Sequence, residues 1–104
     1  MGNEDILKKI SLIIHSKDSE AEAYLFGSRA RGDFHAQSDW DILILVNKEK
    51  ISMEVEDMFR NDLYDLELDT GQVISSFIYP KNYWTTYLTQ SPLYHAISNE
   101  GIKL

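Results

Sequence analysis

The stretch Phe26-Gly27-Ser28-Arg29-Ala30-Arg31-Gly32-Asp33-Phe34-His35-Ala36-Gln37-Ser38-Asp39-Trp40-Asp41 decides how this chain folds. An apolar run from Ala23 to Phe26 leads into it, and a second, Ile42 to Val46, leads out. Between the runs lie a Gly-Ser turn and ten residues of loop or short helix before Asp39. Residues two apart on a strand share a face, so Asp39 and Asp41 converge at the entry of the second strand while Trp40 points away. Two carboxylates held together repel unless a cation sits between them. Mg²⁺ suits that role, because it prefers oxygen ligands and commonly uses one or two carboxylates plus substrate phosphates.

The other half of the stretch reads as a phosphate cradle. Glycine at 27 lets the backbone approach a ligand closely. Ser28 offers a hydroxyl and can cap a following helix, whose free N–H groups would face a phosphate. Arg29 and Arg31 follow at once and can hold phosphate oxygens in a planar fork. Cradle and metal clamp meet when the two apolar runs pair as adjacent strands.

Gly27-Ser28, ten residues, then Asp39-Trp40-Asp41 resembles the signature of the polymerase-beta-like nucleotidyltransferases. The fuller form, Gly-Ser-Arg-Ala-Arg-Gly followed by Ser-Asp-Trp-Asp, is most similar to the minimal nucleotidyltransferases of prokaryotes, and the likeness covers essentially the whole chain. The resemblance implies that Asp39 and Asp41 are the catalytic, metal-binding carboxylates, holding Mg²⁺ or Mn²⁺. It implies that Gly27 and Ser28 hold the phosphate tail of ATP or another nucleoside triphosphate, with Arg29 and Arg31 as further phosphate ligands. The implied reaction moves a nucleoside monophosphate, AMP above all, onto an acceptor hydroxyl. It also implies a setting, since many minimal members act as antitoxins to a small HEPN-type toxin, by binding it or by placing AMP on its tyrosine.

The chain departs from that pattern in one place. Active relatives carry a third carboxylate on a neighbouring strand. Here the matching run, Gln72 to Tyr79, has no acidic residue, and Ser75 or Ser76 takes the position. Glu67 and Asp69 lie just upstream. The departure weighs against catalysis more than against nucleotide binding, and leaves a rival reading: a nucleotidyltransferase-fold module that works by holding its partner.

Composition sets the outer limits. A chain of 104 residues, 43% hydrophobic, is enough for one domain, taken as 1–104, with a true core. It has no cysteine, so disulfides and thiolate metal sites are excluded and a cytoplasmic setting is expected. No apolar run reaches the length of a membrane span, and no signal peptide is read at the N-terminus. The net charge of −7 argues against a broad surface for long nucleic acid and suits a basic partner protein or simple solubility. The three histidines show no ligand spacing, which leaves zinc catalysis without support. Ser28 lacks the Gly-x-Ser-x-Gly elbow of a hydrolase.

Along the chain, Asn3 can cap a first helix whose stripe is Ile6, Leu7, Ile10, Ile13 and Ile14, ending near Ser16 to Ser19. The run Asp41 to Val46 is apolar on both faces, the pattern of a central strand. Ser52 opens a second long helix with Val55, Met58, Phe59, Leu63 and Leu66 as its buried face, stopped at Gly71. Gln72 to Tyr79 is a third strand, closed by Pro80. Tyr83, Trp84, Tyr87 and Leu88 form an aromatic stripe that reads as core or as a docking face. A short helix follows, Leu93 to Ser98, and Glu100 to Leu104 reads as a tail. The order predicts an α+β nucleotidyltransferase fold, a small mixed sheet with helices packed mainly on one face.

Overall fold

Five consecutive apolar side chains, Ile42 to Val46, need cover on both sides, and the architecture supplies it. The computed structural model describes residues 2–104. Its elements are α1 (Asn3–Lys17), β1 (Glu22–Phe26), α2 (Ser28–Arg31), β2 (Trp40–Val46), α3 (Met53–Thr70), β3 (Ile74–Pro80), α4 (Lys81–Tyr87), α5 (Pro92–Glu100) and β4 (Ile102–Lys103). They build a mixed four-stranded sheet of order β3-β2-β1-β4. Strand β2 is flanked on both sides, antiparallel to β1 and parallel to β3. The short link between β1 and β2 forces their antiparallel pairing, whereas helix α3 provides the long crossover that a parallel pair needs.

Alternate residues of β2 feed two cores. Trp40, Ile42, Ile44 and Val46 join Ile6, Ile10 and Ile14 of α1 and Phe59, Leu63 and Leu66 of α3. Leu43 and Leu45 face the other way, with Phe26 and with Trp84 of α4. The two long helices therefore share one face, and the short α4 and α5 cover the other.

Local signals explain most boundaries. The Ser52 hydroxyl accepts the N–H of Val55 and caps α3. Gly71, at φ +71°, ends it in the left-handed region. Helix α1 starts differently from expectation: Gly2 is the capping residue, and Asn3 is the first helical position. The expected tail is also structured. Glu100 closes α5, Ile102 and Lys103 pair with Leu25 and Tyr24, and the Leu104 N–H donates to the Ala23 carbonyl at 2.8 Å. The aromatic stripe divides, since Trp84 is 4% exposed, whereas Tyr83 and Tyr87 are 46% and 72% exposed.

Phe59 is fully buried between α1 and the sheet, so Phe59→Ala is expected to cost about 3–5 kcal/mol. Tyr87→Ala should stay within about 0.5 kcal/mol of wild type. Urea unfolding of both variants checks the contrast.

Candidate functional site

Strand β1 ends at Phe26, whose partner across the antiparallel ladder is Asp41. The chain therefore turns, at Gly27, beside the entry of β2. Gly27 has φ +78° and ψ −160°, a region in effect reserved for glycine. A Cβ at this position would collide with the Asp41 carboxylate. The Gly27 carbonyl accepts the N–H groups of Ala30 and Arg31 at 3.1 and 3.0 Å and starts the single turn of α2. Ser28 opens that turn, half-buried. The structure thus brings the Gly-Ser turn and Asp41 to one place.

Asp41 shares its strand parity with Leu43 and Leu45 and points to the α4/α5 side. Asp39 lies just outside the strand and is exposed. Partial burial pushes the Asp41 carboxyl above its ordinary range, and the Asp39 charge pushes it further; Arg31 acts against both, and Glu100 adds to the rise. Both aspartates are hard oxygen donors, so the pair fits Mg²⁺ or Mn²⁺, with the remaining positions left to phosphate oxygens and water. Among the described residues, no group of three acidic, histidine or cysteine side chains could hold a metal ion.

The register explains that shortfall. The β3 partner of Asp41 is Ser75, so the neighbouring strand sets a hydroxyl beside Asp41 and no acidic group. Glu67 is spent elsewhere, its Oε1 accepting the Ile74 N–H at 2.6 Å.

The two arginines separate, and one corrects the sequence reading. Arg29 does not present a phosphate fork. It is 8% exposed, and its Nε donates to the Ser38 carbonyl at 2.9 Å. Its Nη2 donates to Gln72 Oε1 at 3.1 Å and to the Ala36 carbonyl at 3.3 Å. Its guanidinium carbon lies 4.1 Å from the centre of the Trp40 ring and 5.0 Å from that of Phe34. Burial lowers its pKa, against the pull of Asp39. The reason for the inward turn is that the loop before Asp39 has carbonyls without ladder partners, and an arginine fork satisfies several at once. Arg29 is the post around which the loop is wound.

Arg31 is the arginine that borders the turn. Its side chain is 47% exposed, with Nη1 3.0 Å from Glu100 Oε2 and Nε 3.4 Å from Asp33 Oδ2. The same Glu100 oxygen accepts the Gly27 N–H at 2.6 Å. Glu100 is thus a site residue that sequence reasoning missed. Nothing local marks it, because it lies 73 positions from the glycine that it meets.

Residues 7–93 match the profile of the nucleotidyltransferase domain. The chain belongs to the nucleotidyltransferase domain family. A protein of Methanocaldococcus jannaschii, named provisionally as a protein adenylyltransferase, is 35% identical over 102 residues, which is 97% of this chain and 93% of that protein. A solved chain from a mutant of the toxin–antitoxin MntA–HpeT superposes with a TM-score of 0.60 at 18% identity, covering all of this chain and 72% of its own. At that identity the likeness is one of fold: this nucleotidyltransferase domain has the polymerase-beta-like architecture. No helix among the described residues is long and apolar enough to cross a membrane.

Two variants check this geometry. Arg29→Lys keeps the charge but loses the fork, and should cost on the order of 2 kcal/mol in urea unfolding. A residue that served only to bind phosphate would leave stability unchanged. Asp41→Asn removes a carboxylate whose folded-state pKa is raised. Such a group opposes folding above that raised value, and the penalty fades as pH falls back through the ordinary carboxylate range. In EDTA, Asp41→Asn should therefore melt a few degrees higher than wild type at neutral pH, and the gap should close in acid.

Proposed function

We propose that this domain transfers a nucleoside monophosphate, AMP from ATP, to an acceptor hydroxyl on a partner toxin of the HEPN type, in a reaction that depends on Mg²⁺ or Mn²⁺. The observation that carries the reading is the meeting of Gly27 and Asp41, which sets a backbone phosphate cradle against a carboxylate pair. Charge supports the metal dependence. Asp33, Asp39, Asp41 and Glu100 surround a turn whose one outward arginine is Arg31. A bare triphosphate would be repelled there. The cation, when bound, supplies the charge neutralisation that lets the triphosphate and the aspartates coexist.

The chain's own residues have separate parts. Asp39 and Asp41 would hold the cation. The Gly27 N–H and the Ser28 hydroxyl would bind phosphate oxygens, and the Arg31 guanidinium would balance their charge. The acceptor hydroxyl releases its proton to solvent, its oxygen forms a bond to the α-phosphorus, the bridge to the β-phosphate breaks, and pyrophosphate leaves. The names of the similar proteins, an adenylyltransferase and a toxin–antitoxin, support a protein acceptor.

Two observations favour a second reading. The β3 partner of Asp41 is Ser75, not an acidic group that could help to take the acceptor proton, and Tyr83 and Tyr87 form an exposed aromatic pair with ring centres 5.3 Å apart. A weakened enzyme that acts by gripping its partner would have both features.

Calorimetry with Mg²⁺–ATP should show binding that EDTA abolishes and that Asp39→Asn/Asp41→Asn weakens by roughly a hundredfold or more. With α-labelled ATP and the partner toxin, label should move to the toxin. Binding without label transfer would favour the second reading, and transfer unchanged in Asp41→Asn would contradict the proposed site.

A further inference from the structure

Glu100 sits where a ligand would be expected. Its Oε2 lies 2.6 Å from the Gly27 amide nitrogen and 3.0 Å from Arg31 Nη1. A carboxylate oxygen and a phosphoryl oxygen make the same demand of such a pair: each accepts charge-assisted hydrogen bonds from an N–H and a guanidinium. Resting on the nucleotide-site reading, we propose that Glu100 is a built-in competitor for the phosphate cradle, and that a nucleotide enters only when the last turn of α5 gives up the Gly27 N–H and Arg31.

The fold places Glu100 there, rather than leaving it as a loose surface side chain. Its side chain is only 18% exposed. On one side it is fixed by α5, whose end is closed by the Gly101 N–H donating to the Ile97 carbonyl at 2.9 Å. A Cβ on Gly101 would lie 2.6 Å from that carbonyl oxygen, so the chain turns tightly and a bulkier residue would push the last turn outward. On the other side β4 pairs at once with β1, Ile102 beside Leu25. Strand β1 is the strand that delivers Gly27. Cradle and competitor are therefore mounted on one piece of sheet, and their contact is set by the register.

The contact also accounts for Arg31. An arginine at the mouth of the site, held by Glu100 and Asp33, has its charge already answered. A triphosphate must replace those carboxylates to use it. The apparent affinity is then the intrinsic affinity multiplied by the fraction of molecules with Glu100 released.

The test is calorimetric titration of Mg²⁺–ATP into wild type, Glu100→Gln, Glu100→Ala and Asp39→Asn/Asp41→Asn, with thermal melts to confirm folding. Both Glu100 variants should bind on the order of tenfold tighter than wild type, with binding still lost in the double aspartate variant. Binding by the Glu100 variants alone would support the competitor role most strongly. Unchanged affinity would overturn it. Weaker, metal-independent binding would also overturn it and make Glu100 a metal ligand. No binding by any variant would remove the nucleotide-site reading itself, an outcome distinct from failure of the competitor alone. A readout that needs no substitution is the amide spectrum of the wild type. Mg²⁺–ATP should shift the resonances of Ile97 to Gly101 together with that of Gly27, and a shift confined to Gly27 would contradict displacement of Glu100.

Discussion

The pairing of β1 with β2 governs everything else in this domain. Because Phe26 stands opposite Asp41, the residue after the strand must pass within contact of a carboxylate, and only a glycine can do so. The same pairing leaves β2 to be flanked by β3, buries both of its faces, and presents its polar entry at the end of an otherwise apolar strand. A one-residue slip would swap Asp41 with an apolar neighbour and put a carboxylate into the core. The cost of that error holds the register, so the hydrophobic pattern of Ile42 to Val46 aims the site as well as building the sheet.

The site that results is strained electrostatically more than sterically. Partial burial, and after it the Asp39 charge, raises the proton affinity of Asp41, and the nearby arginines are already engaged. Arg29 is locked under the loop and Arg31 is bound to acids. A surface with this distribution suits a charged ligand pair, cation with polyphosphate, better than either alone. Stability given up at Asp41 is what function would demand of a pair held ready for a cation.

Particular residues show what could be read in advance. Ser52 and Gly71 are local signals with local causes, and the helix between them was legible to within a residue. The central place of β2 followed from its unbroken apolar run, whereas strand parity reaches only Asp41, since Asp39 lies just before the strand. The features that escaped depend on distant partners. The direction of Arg29 is set by carbonyls of the following loop and by Gln72, which also accepts the Trp40 indole N–H at 3.2 Å. Strand β4 has only two residues and no periodicity to read. Glu100 looked like the start of a tail because its meaning lies in a glycine 73 positions earlier in the chain. That Ser75 rather than Ser76 is the partner of Asp41 became visible only in the β2–β3 register.

The central claim is that the Gly27 turn and the Asp39/Asp41 pair form one site for a divalent cation with its nucleotide. Paramagnetic broadening tests this most directly: Mn²⁺ and ATP are titrated into isotope-labelled protein, and amide signals are followed residue by residue. The account predicts that signals of Gly27, Ser28, Asp39 and Asp41 disappear first, that ATP sharpens the effect, and that Asp39→Asn/Asp41→Asn abolishes it. Broadening centred elsewhere, such as the acidic face of α3, with the Gly27 turn untouched, would contradict it.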